Sequence, residues 1–201
     1  MPGLIKESKK VLFNGDNYTD EWQKEAEKRG LPNLKNTVDT LPVILRKDTI
    51  ELFTKYKVYS ERELQSRHTI LSEAYVKTIN IEGQLTSLMA RTMILPASLR
   101  YQAEVASAVN ATKAAGVDNS AQVELLKSLT KTISDFQAAV SSLDKALAHG
   151  GDGDPYHHAK YMRDTVLPAM TQVRTLGDKL EMMVADDLWP LPTYREMLFI
   201  K

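Results

Sequence analysis

The chain has 201 residues, 43% hydrophobic and 26% charged, a balance typical of a soluble globular protein and unlike that of a disordered one. Lys+Arg and Asp+Glu both total 26, so the formal net charge is zero and points to neither a nucleic acid nor an anionic membrane as partner. Cysteine is absent, which excludes disulfides and thiolate ligands. The opening Met1-Pro2-Gly3-Leu4-Ile5-Lys6 has no signal-peptide run and no later stretch reaches membrane length, so a cytoplasmic location is expected.

Residues 4–13 read as a short helical piece, too short to stand alone in water. Asn14-Gly15-Asp16-Asn17 is a turn cluster, after which Thr19 is expected to cap a helix carrying Asp20 and Glu21 at its positive end. Gly30 supplies a left-handed stop, with Leu31-Pro32 beyond it. Residues 38–56 read as two short helical pieces, with Pro42 near the start of the first.

Ser60-Glu61-Arg62-Glu63 is a capping box, and no strong stop follows until Gly116. Leu64, His68, Leu71, Tyr75, Thr78, Glu82, Leu85, Met89 and Thr92 fall on a three-four repeat, an imperfect helical stripe. Pro96 lacks an amide and crowds the carbonyl of Thr92, so a kink is expected there. The next helix is more regular, with Val123, Leu126, Leu129, Ile133, Phe136, Val140, Leu143 and Leu147 on one face. After Gly150-Gly151-Asp152-Gly153, Asp154-Pro155 restarts a helix with a cap and a first-turn proline. Ala159, Met162, Val166, Ala169, Val173, Leu176, Leu180 and Met183 form its stripe, and Pro168 should bend it.

Three apolar stripes on long helices joined by short links must be buried against one another. The expected fold is all-α: an antiparallel bundle of three long helices, two of them proline-kinked, with short helices at the N-terminal end. No strand-period segment and no clear internal repeat stand out.

Several collinear segments resemble the end of type III glutamine synthetase. They are FNGDNYTDEW at 13–22, KEAEKRGL at 24–31, TVDTLP at 37–42, ELF at 51–53, VYSEREL at 58–64, EAYVKTINIE at 73–82, YMRDTVLPAM at 161–170 and WPLPTY at 189–194, with Leu198-Phe199. The resemblance implies a parent that condenses glutamate and ammonia using ATP and magnesium or manganese, and that assembles as ring-shaped homo-oligomers. It also implies that the parent's metal carboxylates, nucleotide site and glutamate-binding arginines lie upstream of residue 1, so no catalytic, cofactor-binding or metal residue is carried over. Residues 1–59 would then end the catalytic domain, 60–187 form a long-helix extension, and 188–201 form a docking tail. The expected partners are the rest of the synthetase polypeptide and further copies of the chain. The isolated chain, lacking the catalytic segments, is expected to be inactive.

The best metal candidate is the stretch from His149 to His158, with His149, His157, His158, Asp152 and Asp154 as donors. Adjacent His157 and His158 diverge by about 100° on a helix, so we read the stretch as a solvated link capped by Asp154. His68 has no nucleophile or orienting group converging on it and reads as a hydrogen-bonded bundle histidine. Arg163-Asp164 and Asp186-Asp187 could form interface ion pairs; Met170, Met182 and Met183 read as gap fillers. The 150–153 glycines follow a helix and lack a following lysine and threonine, unlike a phosphate loop. Trp189, Tyr194, Leu198 and Phe199 make the tail too apolar for a free end, so docking is expected on its own helices or on the catalytic domain. The alternative to a synthetase segment is a stand-alone helical interaction module derived from that enzyme. A regulatory role for a projecting helical arm is more remote, since no docking motif is recognisable.

Overall fold

Local capping sets most helix boundaries in the computed structural model, which describes residues 2–151, 153–192 and 194–198. The described residues contain helices and turns and no strand. They divide into two compact units, Met1–His68 and Thr69–Lys201.

In the first unit, α1 (Pro2–Ser8) runs into a 3-10 turn, Lys9–Val11. It is followed by α2 (Asp20–Lys28), α3 (Thr37–Thr40) with a 3-10 turn at Leu41–Leu45, and α4 (Lys47–Lys55). Thr19 occupies the cap position of α2, but its hydroxyl donates 2.8 Å backwards to the Asp16 carbonyl and does not cap the helix. The nearby turn competes successfully for that group. Gly30 has φ +64°, and Leu31 N–H returns 2.9 Å to the Ala26 carbonyl, so the expected left-handed stop is present. Arg29 ties α2 to the segment before it. Its Nη1 donates to the carbonyls of Lys9, Lys10 and Leu12, the last at 2.7 Å, while its Nε holds Glu25 at 2.8 Å.

The helix α5 (Glu61–Met89) begins with the reciprocal capping box. Ser60 N–H donates 2.7 Å to Glu63, and Glu63 N–H donates 3.3 Å to Ser60 Oγ. The second unit contains most of α5, a π-turn at Ala90–Ile94 and α6 (Leu95–Ala114). Then come α7 (Ser120–Leu147), α8 (Pro155–Tyr161), a second π-turn at Met162–Val166 and α9 (Leu167–Glu181). A 3-10 turn at Asp186–Leu188 and the short α10 (Tyr194–Leu198) end the described chain.

The cross-helix hydrogen bonds run in opposite directions along the two chains they join. Arg91 reaches Asp144, Gln102 reaches Thr130 at 2.7 Å, and Asn119 reaches the Val109 carbonyl at 2.8 Å. Partner numbers fall as residue numbers rise, so the arms are antiparallel. Tyr161 donates 3.0 Å to the Ala146 carbonyl, and Gly177 faces Phe136, which gives α7 and the α8–α9 arm the same antiparallel relation. The expected three-armed bundle is present.

All eight positions expected on the α7 face are buried or half-buried, as are all eight expected on the α8–α9 arm. The α5 stripe is different. Leu64 is buried and His68 and Tyr75 are half-buried, but Leu71, Thr78, Glu82, Leu85 and Thr92 are exposed. Within the second unit, Leu71, Thr78 and Leu85 lie on the opposite side of the helix from the residues it buries. The inner face within the second unit is instead Ser72, Ile79, Gly83, Ser87 and Ala90.

At both prolines the expected distortion takes the form of a π-turn. Leu95 N–H bonds the Ala90 carbonyl five residues back, and Leu167 N–H bonds Met162 in the same way. The widened turn makes room for a ring that would crowd the carbonyl four residues earlier. The two turns share a local pattern that a search for long repeats misses: Arg91 and Arg163, Ile94 and Val166, then Leu-Pro-Ala at 95–97 and 167–169.

The core cluster centres on Phe136, Leu129, Leu143, Met162, Val166 and Leu180, each 2% exposed or less. Replacing Phe136 with Ala should cost about 3–5 kcal/mol. Urea unfolding would measure the loss, and a change below about 1 kcal/mol would contradict the central position assigned to this ring.

Candidate functional site

The link from α7 to α8 carries the densest set of potential ligands, and its side chains diverge. His149 stacks on Tyr161 with ring centroids 4.2 Å apart. His157 Nδ1 turns to Asp154, 3.4 Å away, while Asp154 Oδ1 accepts the Tyr156 amide at 3.1 Å and so caps α8. The His158 and Tyr161 rings are tilted with centroids 6.4 Å apart, and His158 Nε2 is enclosed without a hydrogen-bond partner. Asp152 lies outside the described residues. Among the described residues, no three His, Cys, Asp or Glu side chains converge as a metal-binding group.

The geometry of this link depends on Gly151. Its φ is +65°, and a Cβ there would sit 2.7 Å from His158 Nδ1. The backbone conformation and the imidazole both require glycine. A small cavity of about 260 Å³ adjoins it, bordered by Glu73, Lys77, Asp154 and His158. Lys77 pairs with Glu73 at 3.4 Å across its mouth.

The strongest polar contact between helices is one that sequence reasoning missed. Asp144, on α7, accepts from Ser87 Oγ on α5 and from both Nε (3.1 Å) and Nη2 of Arg91 in the first π-turn. Burial pushes the Asp144 carboxyl up, but the Ser87 and Arg91 hydrogen bonds outweigh it and hold the group below its ordinary value. The only sequence hint was a serine and an arginine four residues apart on one helical face. Arg163 and Asp164, expected as an interface pair, hold each other within one turn at 2.6 Å. Asp186 and Asp187 are exposed, and His68 is half-buried.

Beneath the tail lies a larger cavity of about 680 Å³, whose walls include Met89, Ile94, Met170, Val173 and Trp189. Trp189 packs on the core cluster and its Nε1 is enclosed without a partner. Met170 and Met183 pack on the same core, but Met182 is 82% exposed and fills no gap. Leu198 is exposed; the side chain of Tyr194 is not described, and Phe199 lies outside the described residues.

His149 and His157 have separate partners, Tyr161 and Asp154, His158 Nε2 has no hydrogen-bond partner, and the Asp144 carboxylate is paired with Arg91. No helix among the described residues is long and apolar enough to cross a membrane.

The Asp144 clasp gives a pH dependence with a definite sign. Its folded-state pKa is depressed, so its stabilisation is present above the unfolded aspartate value of about 3.9 and is lost as pH falls through the lower folded value. Asp144→Asn should cost about 1 kcal/mol at neutral pH, since the site is partly solvated, and should flatten the acid limb of the stability curve. An unchanged acid limb in pH-dependent unfolding would refute the assignment.

Comparison with known proteins gives the family. A glutamine synthetase C-terminal domain family matches residues 1–113. The chain is 36% identical over 195 residues to a glutamine synthetase of Butyrivibrio fibrisolvens, covering 95% of this chain and 28% of that protein. It is 32% identical over 199 residues to the type-3 glutamine synthetase of Dictyostelium discoideum, covering 96% of this chain and 27% of that one. A Bacteroides fragilis glutamine synthetase matches at 27% identity over 201 residues, again with 28% of its length covered. The chain therefore spans just over a quarter of these relatives and belongs to the glutamine synthetase C-terminal domain family.

Proposed function

We propose that this chain works as the C-terminal helical region of a type III glutamine synthetase and contributes structure and subunit contacts to that enzyme, with the chemistry performed by other segments. Residues 1–59 complete the catalytic domain, residues 60–187 form an extension that makes assembly contacts, and residues 188–201 dock as a tail. The parent reaction is the ATP-dependent condensation of glutamate and ammonia.

The supporting observation is how apolar side chains are distributed. Among the described residues of the first unit, only Ala26, Val38, Leu41 and Leu64 are buried apolar residues, while nine large ones, including Leu4, Ile5, Leu12 and Tyr56, are exposed. A segment of this size cannot balance its ordering entropy with so small a core. Such an inventory fits a piece whose packing partners belong to other polypeptide. Among the described residues of the second unit, eighteen apolar residues are buried and eleven large ones are exposed, so that unit holds a core of its own.

Two measurements test this reading. The purified chain, given glutamate, ammonia, ATP and magnesium, should form no glutamine, and any magnesium-dependent synthesis would overturn the proposal. Amide exchange should be much faster in residues 1–59 than in α7, because local opening follows local burial. Equal protection in both regions would show that the first unit does not depend on missing partners.

A further inference from the structure

The outer face of α5 carries a second, largely apolar row that the core of the second unit does not use. Leu71, Ala74, Thr78, Ile81, Leu85 and Leu88 are all exposed, with Ile81 at 65% and Leu88 at 57%. Their spacings are three, four, three, four and three, the a/d repeat of a coiled-coil seam. The row lies opposite the inner face of Ser72, Ile79, Gly83 and Ser87, so the helix is apolar on two sides. Scattered exposed leucines need no explanation, but a heptad row with four large aliphatics in six places, broken by Thr78, marks a surface suited to another helix.

From this pattern we infer that the outer face of α5 is a parallel, in-register pairing surface for a second copy of this chain. The inference rests on the assembly role proposed above and specifies which surface performs it.

The flanking charges select the occupant and its direction. With Leu71, Thr78 and Leu85 at a, the g positions hold Lys77 and Arg91, and the e positions hold Glu82. In a parallel pair, Lys77 of each copy, which also holds Glu73 of its own helix at 3.4 Å, faces Glu82 of the other, twice by symmetry. Antiparallel registers place Lys77 beside Arg91 and Glu82 beside Glu82, or leave Lys77 opposite a neutral Gln84. Complementary charge of this kind sets orientation more than strength. The chain's zero net charge adds no long-range repulsion between copies.

The size of the row sets its strength. From residue 71 to 88 it runs about 26 Å along a helix some 10 Å wide. Two such strips bury less than the roughly 1,200 Å² typical of a stable pairwise interface. The pairing is therefore weak in the isolated chain and adds to other contacts in a larger assembly.

Cysteine cross-linking tests the inference directly, because the chain has no native cysteine. Thr78→Cys and Leu88→Cys would be made separately, with Glu104→Cys, at an exposed site on α6, as the collision control. In a glutathione redox buffer, both seam variants should form disulfide dimers at about ten-fold or more the control yield, through raised effective concentration. Adding Lys77→Glu should lower that yield, and combining it with Glu82→Lys should restore it. Cross-linking of only one seam variant means an antiparallel pair and overturns the inference, as does failure of the charge swap to restore the yield. If the native chain sediments as an oligomer but neither seam variant exceeds the control, this face is wrong while the assembly role survives. If the chain is monomeric by sedimentation and neither variant exceeds the control, both fail. Circular dichroism of each variant confirms that the surface change leaves the helices intact.

Discussion

The second unit depends on large side chains of one arm entering a face of small residues on another. Gly83 is the clearest case: a Cβ there would lie 2.8 Å from a Leu147 methyl and 3.5 Å from Val166. Ser72, Ser87, Ala90, Ala97 and Ser98 continue that face along the 69–114 arm, each 7% exposed or less. The bulk that fills the space comes from Phe136, Leu143, Met162 and Leu180 on the other arms. Interiors pack at the density of organic crystals, so a row of holes on one helix requires knobs on its neighbours. With much of its inner face given to small residues, the α5 segment turns Ile79 inward but carries Leu71, Ile81, Leu85 and Leu88 outward.

This division of labour explains which parts of the fold were legible in the sequence. The arms that supply the knobs, α7 and α8–α9, are apolar on one face, and periodicity located every position. Caps and stops were legible because their chemistry is local: Ser60 with Glu63, Gly30, and Asp154 with Tyr156 all lie within a few residues. On α5 the hydrophobic pattern pointed to the wrong face, since leucine marks burial only when the seam wants bulk. The Asp144 clasp was invisible because it joins positions 57 and 53 apart in the chain, and nothing in a single sequence registers such a pairing.

The prolines add a second level of order. Each lies just beyond a π-turn, and each π-turn has an arginine as its second residue, Arg91 or Arg163. A π-turn inserts one residue into the helical repeat and so rotates the rest of the helix about its axis. In the first arm that rotation carries the buried row from Ala90 to Ala97 and Ser98, and on to Val105. It also places Arg91 where it can reach α7. The same local solution in two arms indicates that the Leu-Pro step serves to reset the seam, and the missing proline amide costs little where the ladder is already interrupted.

Several of the polar groups described above hold a helix or a link in position. A catalytic carboxylate or imidazole must be held near a reacting atom with lone pairs or protons left to give. Here Asp144 is neutralised by Ser87 and Arg91, Asp154 serves a helix terminus, and His149 lies flat on Tyr161. Each of these groups has been used to fix the position of a helix or a link. Apolar surface, by contrast, is left uncommitted, in the thin core of the first unit and along the outer row of α5. Covering that surface would release further free energy.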